Sequence, residues 1–335
     1  MVSETVLVGA PGPRYAFLQS LAPPMPGETR TALIQLLLAE ILIGSVGVFV
    51  HESGQDPVTA VFFRCVFGSL FLLAWGWSRG LLQDLWRDVA LLRAAAISGV
   101  LLVLNWVLLF AGMERSSIGV ATMVYHFFPF AMLAFAALFY GERTRAVDIA
   151  WSALAFVGVL LSADPQRLWR EADAGYLFGI ALTFGAALLA GASLMMSRRI
   201  SRQRPLAVVL VQCVVGIVLL APFADIAAAA TPGAHWWWLA GLGLIHSGVC
   251  YVLMYSAYPR LPVGTLAVIA FVYPGVALLL DYVLYGQALG LLQGAGLALI
   301  VLGTLGVNLK WRVLRKRGDA AAAIECVEPE HAASR

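Results

Sequence analysis

Residues 105–142, NWVLLFAGMERSSIGVATMVYHFFPFAMLAFAALFYGE, lie without a gap on residues 250–287, CYVLMYSAYPRLPVGTLAVIAFVYPGVALLLDYVLYGQ. At this offset of 145 residues Arg115 meets Arg260, Gly119 meets Gly264, Pro129 meets Pro274 and Tyr140-Gly141 meets Tyr285-Gly286; further on, Gly158 meets Gly303. A slightly different offset of 148 brings Pro57 onto Pro205, Cys65 onto Cys213 and Gly68 onto Gly216. Matches among Leu, Val and Ala carry little weight, because apolar helices share composition. Matched Pro, Gly, Arg and Tyr mark an internal repeat.

The composition says what is repeated. Of 335 residues 61% are hydrophobic and 12% charged, against roughly 45–50% apolar and about 25% charged in soluble domains. The apolar residues fall in runs near the ~20 residues that an α-helix needs to cross about 30 Å of hydrocarbon. Spans are expected near 31–51, 58–78, 91–112, 117–139, 146–162, 175–196, 206–224, 236–257, 263–285 and 288–309, giving an all-α integral membrane protein of ten transmembrane helices. Pro129 and Pro274 mark two of these helices as kinked, since proline removes a backbone hydrogen bond.

Basic residues test the segmentation. With the N-terminus inside, 18 of the 22 Lys and Arg fall in cytoplasmic segments, three (Arg115, Arg167, Arg170) outside, and Arg64 within the membrane. That bias places both ends in the cytoplasm. Each half, 31–163 and 175–309, then holds five spans, and an odd number forces the second half to enter from the opposite side. Two inverted five-helix repeats are therefore expected, an arrangement that opens a shared cavity alternately to either face. Residues 1–30, proline-rich and unlike a secretory signal, are expected to be a disordered tail, with Met25 an alternative start. Residues 310–335 form a basic and then disordered tail, its Lys310–Arg317 stretch an anchor at the membrane surface.

The net charge of +3 supports no nucleic-acid partner. Cys65, Cys213, Cys250 and Cys326 are scattered, suggesting neither a disulfide framework nor a metal site, and no cofactor is expected. No GxxxxGK[ST] loop is present, so ATP is not the direct energy source.

Several residues carry a family pattern: Gly44-Ser45 in the first span, Pro57 before the second, Arg64 after Val-Phe-Phe, and the run from Pro129 through Gly141-Glu142-Arg143 to Gly158. The chain resembles the drug/metabolite transporter superfamily, specifically EamA-type members with two tandem EamA domains. The second half departs from the pattern, with Gly286-Gln287-Ala288 for Gly-Glu-Arg and Gln212 for the arginine. The resemblance implies export of a small metabolite across the inner or plasma membrane.

Glu40 stands near the middle of the first span, where an ionisable side chain is costly and marks a pathway, a proton site or a ligand contact. Gly44, Gly47 and His51 follow at helical spacing, so one face would carry all four; the alternative is a neutral carboxyl bonded to a neighbouring helix. Arg64 needs an acceptor within the membrane, for which Glu40 is a candidate, as conformational latch or ligand anchor. Tyr125 and His126 precede Pro129, where a kink exposes carbonyls, as structural or as site residues.

Asn105, Trp106, His246, Tyr251, Tyr255, Tyr273 and Asp281 complete the polar and aromatic set. Rings with polar tips suit an amphipathic or cationic small molecule, although Tyr and Trp also mark membrane interfaces, as Trp236-Trp237-Trp238 is expected to do. Gly185-Ala186-Ala187 and Gly294-Ala295-Gly296 are expected to serve close helix packing.

The expectation is a secondary active transporter, an exporter of an amino acid, amine or related compound, in which Glu40 couples protons or holds a substrate cation. Its partners are the substrate, the bilayer and protons; the oligomeric state is open. A passive facilitator or channel is the alternative. A membrane-embedded enzyme is the third class, for which Ser45 and His246-Ser247-Gly248 supply no convincing constellation.

Overall fold

The computed structural model describes residues 26–82, 88–116, 118–162, 173–202, 204–229, 233, 235–285 and 291–308. The described residues form helices α1 (Pro26–Ile43), α2 (Val46–Ser53), α3 (Pro57–Ser78), α4 (Val89–Arg115), α5 (Ile118–Tyr125), α6 (Phe128–Tyr140), α7 (Ala146–Ser162), α8 (Ala174–Ile200) and α9 (Pro205–Leu220). After a single turn at Ile226–Ala229 come α10 (His235–Gly241), a π-helical stretch Leu242–Val249, α11 (Cys250–Ala257), a 3-10 turn Tyr258–Arg260, α12 (Val263–Ile269), α13 (Val272–Tyr285) and α14 (Leu291–Asn308). No strand occurs among them. Six helical stretches are long and apolar enough to cross a membrane, and four shorter apolar helices accompany them. The predicted tails, apart from residues 26–30, and the 286–290 segment holding Gln287 lie outside the described residues.

Helix starts follow from local chemistry. Asp56, Asp88 and Asp173 each precede a long helix, and their carboxylates accept the N–H groups of Val58 and Thr59, of Leu91, and of Tyr176, groups that have no intrahelical acceptor. Pro57 follows its cap at the first helical position, where a missing N–H costs nothing.

The two proline helices break where the repeat predicts. α5 gives way to α6 at His126-Phe127, and α12 to α13 at Ala270-Phe271, each just before the proline. Two interruptions were not anticipated. The first span breaks at Gly44-Ser45, between α1 and α2, so Glu40 and His51 do not share a continuous face; His51 is exposed and contacts Glu52 at 3.4 Å. The eighth predicted span carries the π-helical stretch, with His246, Ser247 and Gly248 buried in it.

Helix α7 packs on α14 with interchanged contacts. A Cβ on Gly158 would lie 2.6 Å from the Gly296 carbonyl and 3.0 Å from Ile300, while one on Gly303 would lie 2.9 Å from the Trp151 carbonyl and from Ala155. In the 145-residue register Trp151 corresponds to Gly296, Ala155 to Ile300 and Gly158 to Gly303, so each helix presents the same positions to the other. Gly306 also lies against Trp151. The contact positions fall along α14 as they rise along α7, and the two helices run antiparallel.

Of the runs expected to pack closely, Ala186, Ala187 and Gly296 do so, the alanines fully buried and Gly296 against Gly158, while Gly294 and Gly185 do not. Gly294 has no atom within 4 Å of a would-be Cβ, and Gly185 has only Leu108 at 3.8 Å. Gly112 lies on Thr183 and Gly191 on Ala131 and Met132. Within the Trp236–Trp238 run only Trp237 is largely exposed, at 81%; Trp236 packs on Phe63 and Trp238 on Phe49, at 5.0 and 5.1 Å between ring centres.

Gly158→Ala should destabilise the protein by about 1–3 kcal/mol, because backbone must move to admit the methyl. Gly294→Ala should leave stability unchanged or slightly raised, as alanine favours helix over glycine. Thermal unfolding of both variants beside the wild type checks the contrast.

Candidate functional site

The centre of the molecule is organised around Arg64 on α3. Glycines bring α3 and the π-helical stretch together: a Cβ on Gly243 would fall 2.3 Å from Phe67 Cβ and 2.6 Å from the Gly68 nitrogen, and one on Gly68 would fall 2.9 Å from Ser247 Cβ. At that separation Arg64 Nε donates to Ser247 Oγ at 2.8 Å and Nη2 to the His246 carbonyl at 3.3 Å. Its guanidinium lies over the Trp106 ring, Cζ 3.9 Å from the centroid, and 5.8 Å from that of Tyr251. Trp106 Nε1 donates to the Tyr251 hydroxyl at 3.1 Å, and the rings meet edge to face. These two residues occupy equivalent places in the 145-residue register and touch each other.

Arg64 is 2% exposed, and a guanidinium so buried is tolerable only when hydrogen bonds and ring faces replace water. No ion pair joins it to Glu40, contrary to the pairing considered from depth. Glu40, on α1, is 3% exposed and has no hydrogen-bond or ion-pair partner among the described residues. It stands beside α11, where Cys250 Sγ contacts the Ala39 carbonyl at 3.7 Å, and both Glu40 and Arg64 lie within electrostatic range of Tyr251.

The break at Gly44-Ser45 has a partner in the same cluster. Ser45 Oγ donates to the Leu42 carbonyl at 2.8 Å, so His246 Nε2, 3.0 Å away, donates to Ser45. A Cβ on Gly44 would lie 2.7 Å from Val276, which seats the break against α13.

A second group lies at the breaks of the proline helices. Asn105 Nδ2 donates to the Ala186 carbonyl at 2.8 Å and its amide meets the Tyr125 hydroxyl at 3.3 Å. His126 Nδ1 donates to the Thr122 carbonyl, which leaves Nε2 an acceptor in the neutral imidazole. That nitrogen is buried with no hydrogen-bond partner among the described residues. The imidazole stacks on Tyr273 at 4.9 Å, joining the helix of Pro129 to that of Pro274. Tyr125 lies within electrostatic range of Tyr251, Tyr273 and Arg64, so the two groups adjoin.

Ser98, Ser193, Ser197 and Gln212 form a third, uncharged cluster that was not read as a site in the sequence; Tyr255, whose hydroxyl is buried with no hydrogen-bond partner among the described residues, adjoins it. Gln212 Nε2 donates to Ser98 Oγ at 2.8 Å and Ser197 Oγ at 2.9 Å, and Ser193 Oγ donates to the Ser98 carbonyl at 2.8 Å. The signal was present in the four-residue spacing of Ser193 and Ser197 and in Gln212, which stands in the repeat where Arg64 does. Cys65 and Cys213, also repeat counterparts, are both buried and free. Asp281 falls on α13, but its side chain lies outside what the structure describes.

Known proteins agree with this architecture. A family model, the EamA-like transporter family, matches residues 30–163 and again 177–309. Over 308 residues the chain is 27% identical to the uncharacterized transporter YxxF of Bacillus subtilis (strain 168), covering 90% of this chain and 96% of that one. It is 25% identical over 278 residues to an uncharacterized transporter of Archaeoglobus fulgidus, covering 83% of this chain and 95% of the relative. A solved crystal structure superposes with a TM-score of 0.71 at 20% identity, over 83% of this chain and 98% of its own, a likeness of fold. Two tandem matches, membrane-spanning apolar helices and transporter relatives lead to one conclusion: the chain is a multi-pass membrane protein and belongs to the EamA-like transporter family.

Proposed function

We propose that the protein is a secondary active exporter of a small amphipathic metabolite, an amino acid, amine or related compound, working by alternating access with Glu40 as its proton-coupling or cation-binding group. The observation that carries this is Glu40 itself: a carboxyl buried within the first span, with no hydrogen-bond or ion-pair partner among the described residues, beside the Arg64–Trp106–Tyr251 cluster. A buried carboxyl with no fixed donor meets either a proton or a cation that arrives and leaves. His126 Nε2 is a second acceptor of this kind.

The ten helices form two inverted repeats of five. Support comes from the antiparallel, interchanged packing of α7 on α14 and from the contact of the repeat counterparts Trp106 and Tyr251. Opposite orientation of two such halves lets one central site face each side in turn. Both termini lie in the cytoplasm by the distribution of Lys and Arg, and the inner or plasma membrane follows from the family resemblance.

Proteoliposomes screened with pools of amino acids, amines and vitamins should show substrate-dependent proton flux for one pool, lost in Glu40→Gln. Transport that persists in the wild type without proton movement would make the protein a facilitator. In the same assay Arg64→Lys should lower transport by on the order of tenfold, since ammonium keeps the charge but not the planar fork that bonds Ser247 and the His246 carbonyl while lying on Trp106; near-normal rates in Arg64→Lys would exclude Arg64 from the site.

A further inference from the structure

Three segments meet on one side chain at the arginine-rich end of the bundle. Arg198, near the end of α8, binds Glu142 with Nη1 to Oε1 at 2.6 Å, donates from Nε to the Tyr258 carbonyl at 3.1 Å, and from Nη2 to the Leu261 carbonyl at 3.0 Å. It therefore ties the end of α8 to the end of α6 and to the turn joining α11 to α12. The pair is sheltered, Arg198 being 15% and Glu142 32% exposed, and charge-assisted bonds of this length are strong.

Glu142 is held in place by its backbone. Helix α6 ends at Gly141, whose φ of 63° is left-handed; its N–H bonds the Ala137 carbonyl and the Glu142 N–H bonds the Ala136 carbonyl. This closure of a helix end needs glycine at that position, and it turns the following carboxylate back toward α8. Arg199 adds a second tie, its Cζ 4.0 Å from the centre of the Tyr140 ring. Next to the lock, Ser201 is fully buried and donates to the Tyr255 carbonyl at 3.0 Å. In the repeat, Glu142 corresponds to Gln287, which is neutral. At this register position the second half carries no carboxylate.

We propose that the Arg198–Glu142 pair is a one-sided lock: it holds the arginine-rich end of the transporter closed in this conformation and breaks each time that end opens. The lock rests on the alternating-access reading above, and gives the Gly-Glu of the Gly-Glu-Arg segment a mechanical role, glycine as the helix stop and glutamate as the catch. A contact made in one state and absent from the other shifts the balance between them by its whole strength.

The test needs no substrate. In a chain with Cys326→Ser, Ser201→Cys places a reporter thiol next to the lock, and Gln55→Cys places one just beyond α2, where Gln55 is partly exposed in this conformation; Cys65, Cys213 and Cys250 are buried, and the chain without either reporter gives their background. Labelling in nanodiscs with a water-soluble maleimide is then followed with and without Glu142→Gln. Breaking the lock should speed labelling at position 201 by on the order of tenfold and slow it at position 55.

An unchanged rate at 201 overturns the proposal, and so does a rise at 201 with no fall at 55, which would be local fraying. Should Glu142→Gln fail to fold, as judged by its melting, Arg198→Gln removes the charge that pairs with Glu142 and is scored by the same two rates. Because proton flux is measured separately, an intact flux with unchanged labelling sinks the lock alone, and a missing flux with altered labelling sinks only the coupling role of Glu40.

Discussion

A guanidinium cannot lose its water unless the protein replaces it, and much of the centre of this molecule is arranged to do so for Arg64. The replacement has three parts: a serine hydroxyl, a backbone carbonyl and the face of an indole. Each depends on local structure elsewhere. The π-helical stretch is where a carbonyl can be reached, since its widened turn disturbs the regular ladder, and Gly68 and Gly243 allow it to approach α3 at backbone distance. Trp106 is kept in position by the Tyr251 hydroxyl. The arginine, the irregular helix and the glycines are thus one structural unit.

The central groups are unevenly satisfied. The donors of Asn105 and Trp106 have acceptors, and Arg64 has two acceptors and a ring face, whereas among the described residues neither the buried Glu40 carboxyl nor His126 Nε2 meets a donor. Buried acceptors without donors are costly when nothing visits them. Under the proposed function they are what a proton or an N–H-bearing substrate meets.

Much of this was legible in the sequence, for reasons particular to membranes. Spans, kinks and the repeat follow from apolar run length and from the placement of Pro and Gly, both local properties. Arg64, Trp106, Tyr251, His246 and Ser45 were singled out because polarity in an apolar run is conspicuous, and the structure brings them into one cluster. Partner choice was not legible: depth alone suggested Glu40 for Arg64, but the π-helical stretch, set by packing against α3, supplies Ser247 and a carbonyl instead. The break at Gly44-Ser45 also escaped a reading based on helical spacing, because glycine and serine permit a helix to continue as well as to stop. The glycines of close contact were only partly identifiable, since Gly158 and Gly294 look alike until the neighbouring helix is known.

The interchanged packing of α7 and α14 has a consequence for how such a chain arises. Gly158 meets the counterparts of 151 and 155, and the counterpart of 158 meets Trp151 and Ala155, so the surface between the two matched segments is self-complementary, as in a dimer of identical subunits. A single segment carrying that surface already holds the instructions for closing on a copy of itself. Joining two copies in one chain adds no new interface. It frees each copy to diverge, and the indole at 106 facing a phenol at 251 is the trace of that freedom.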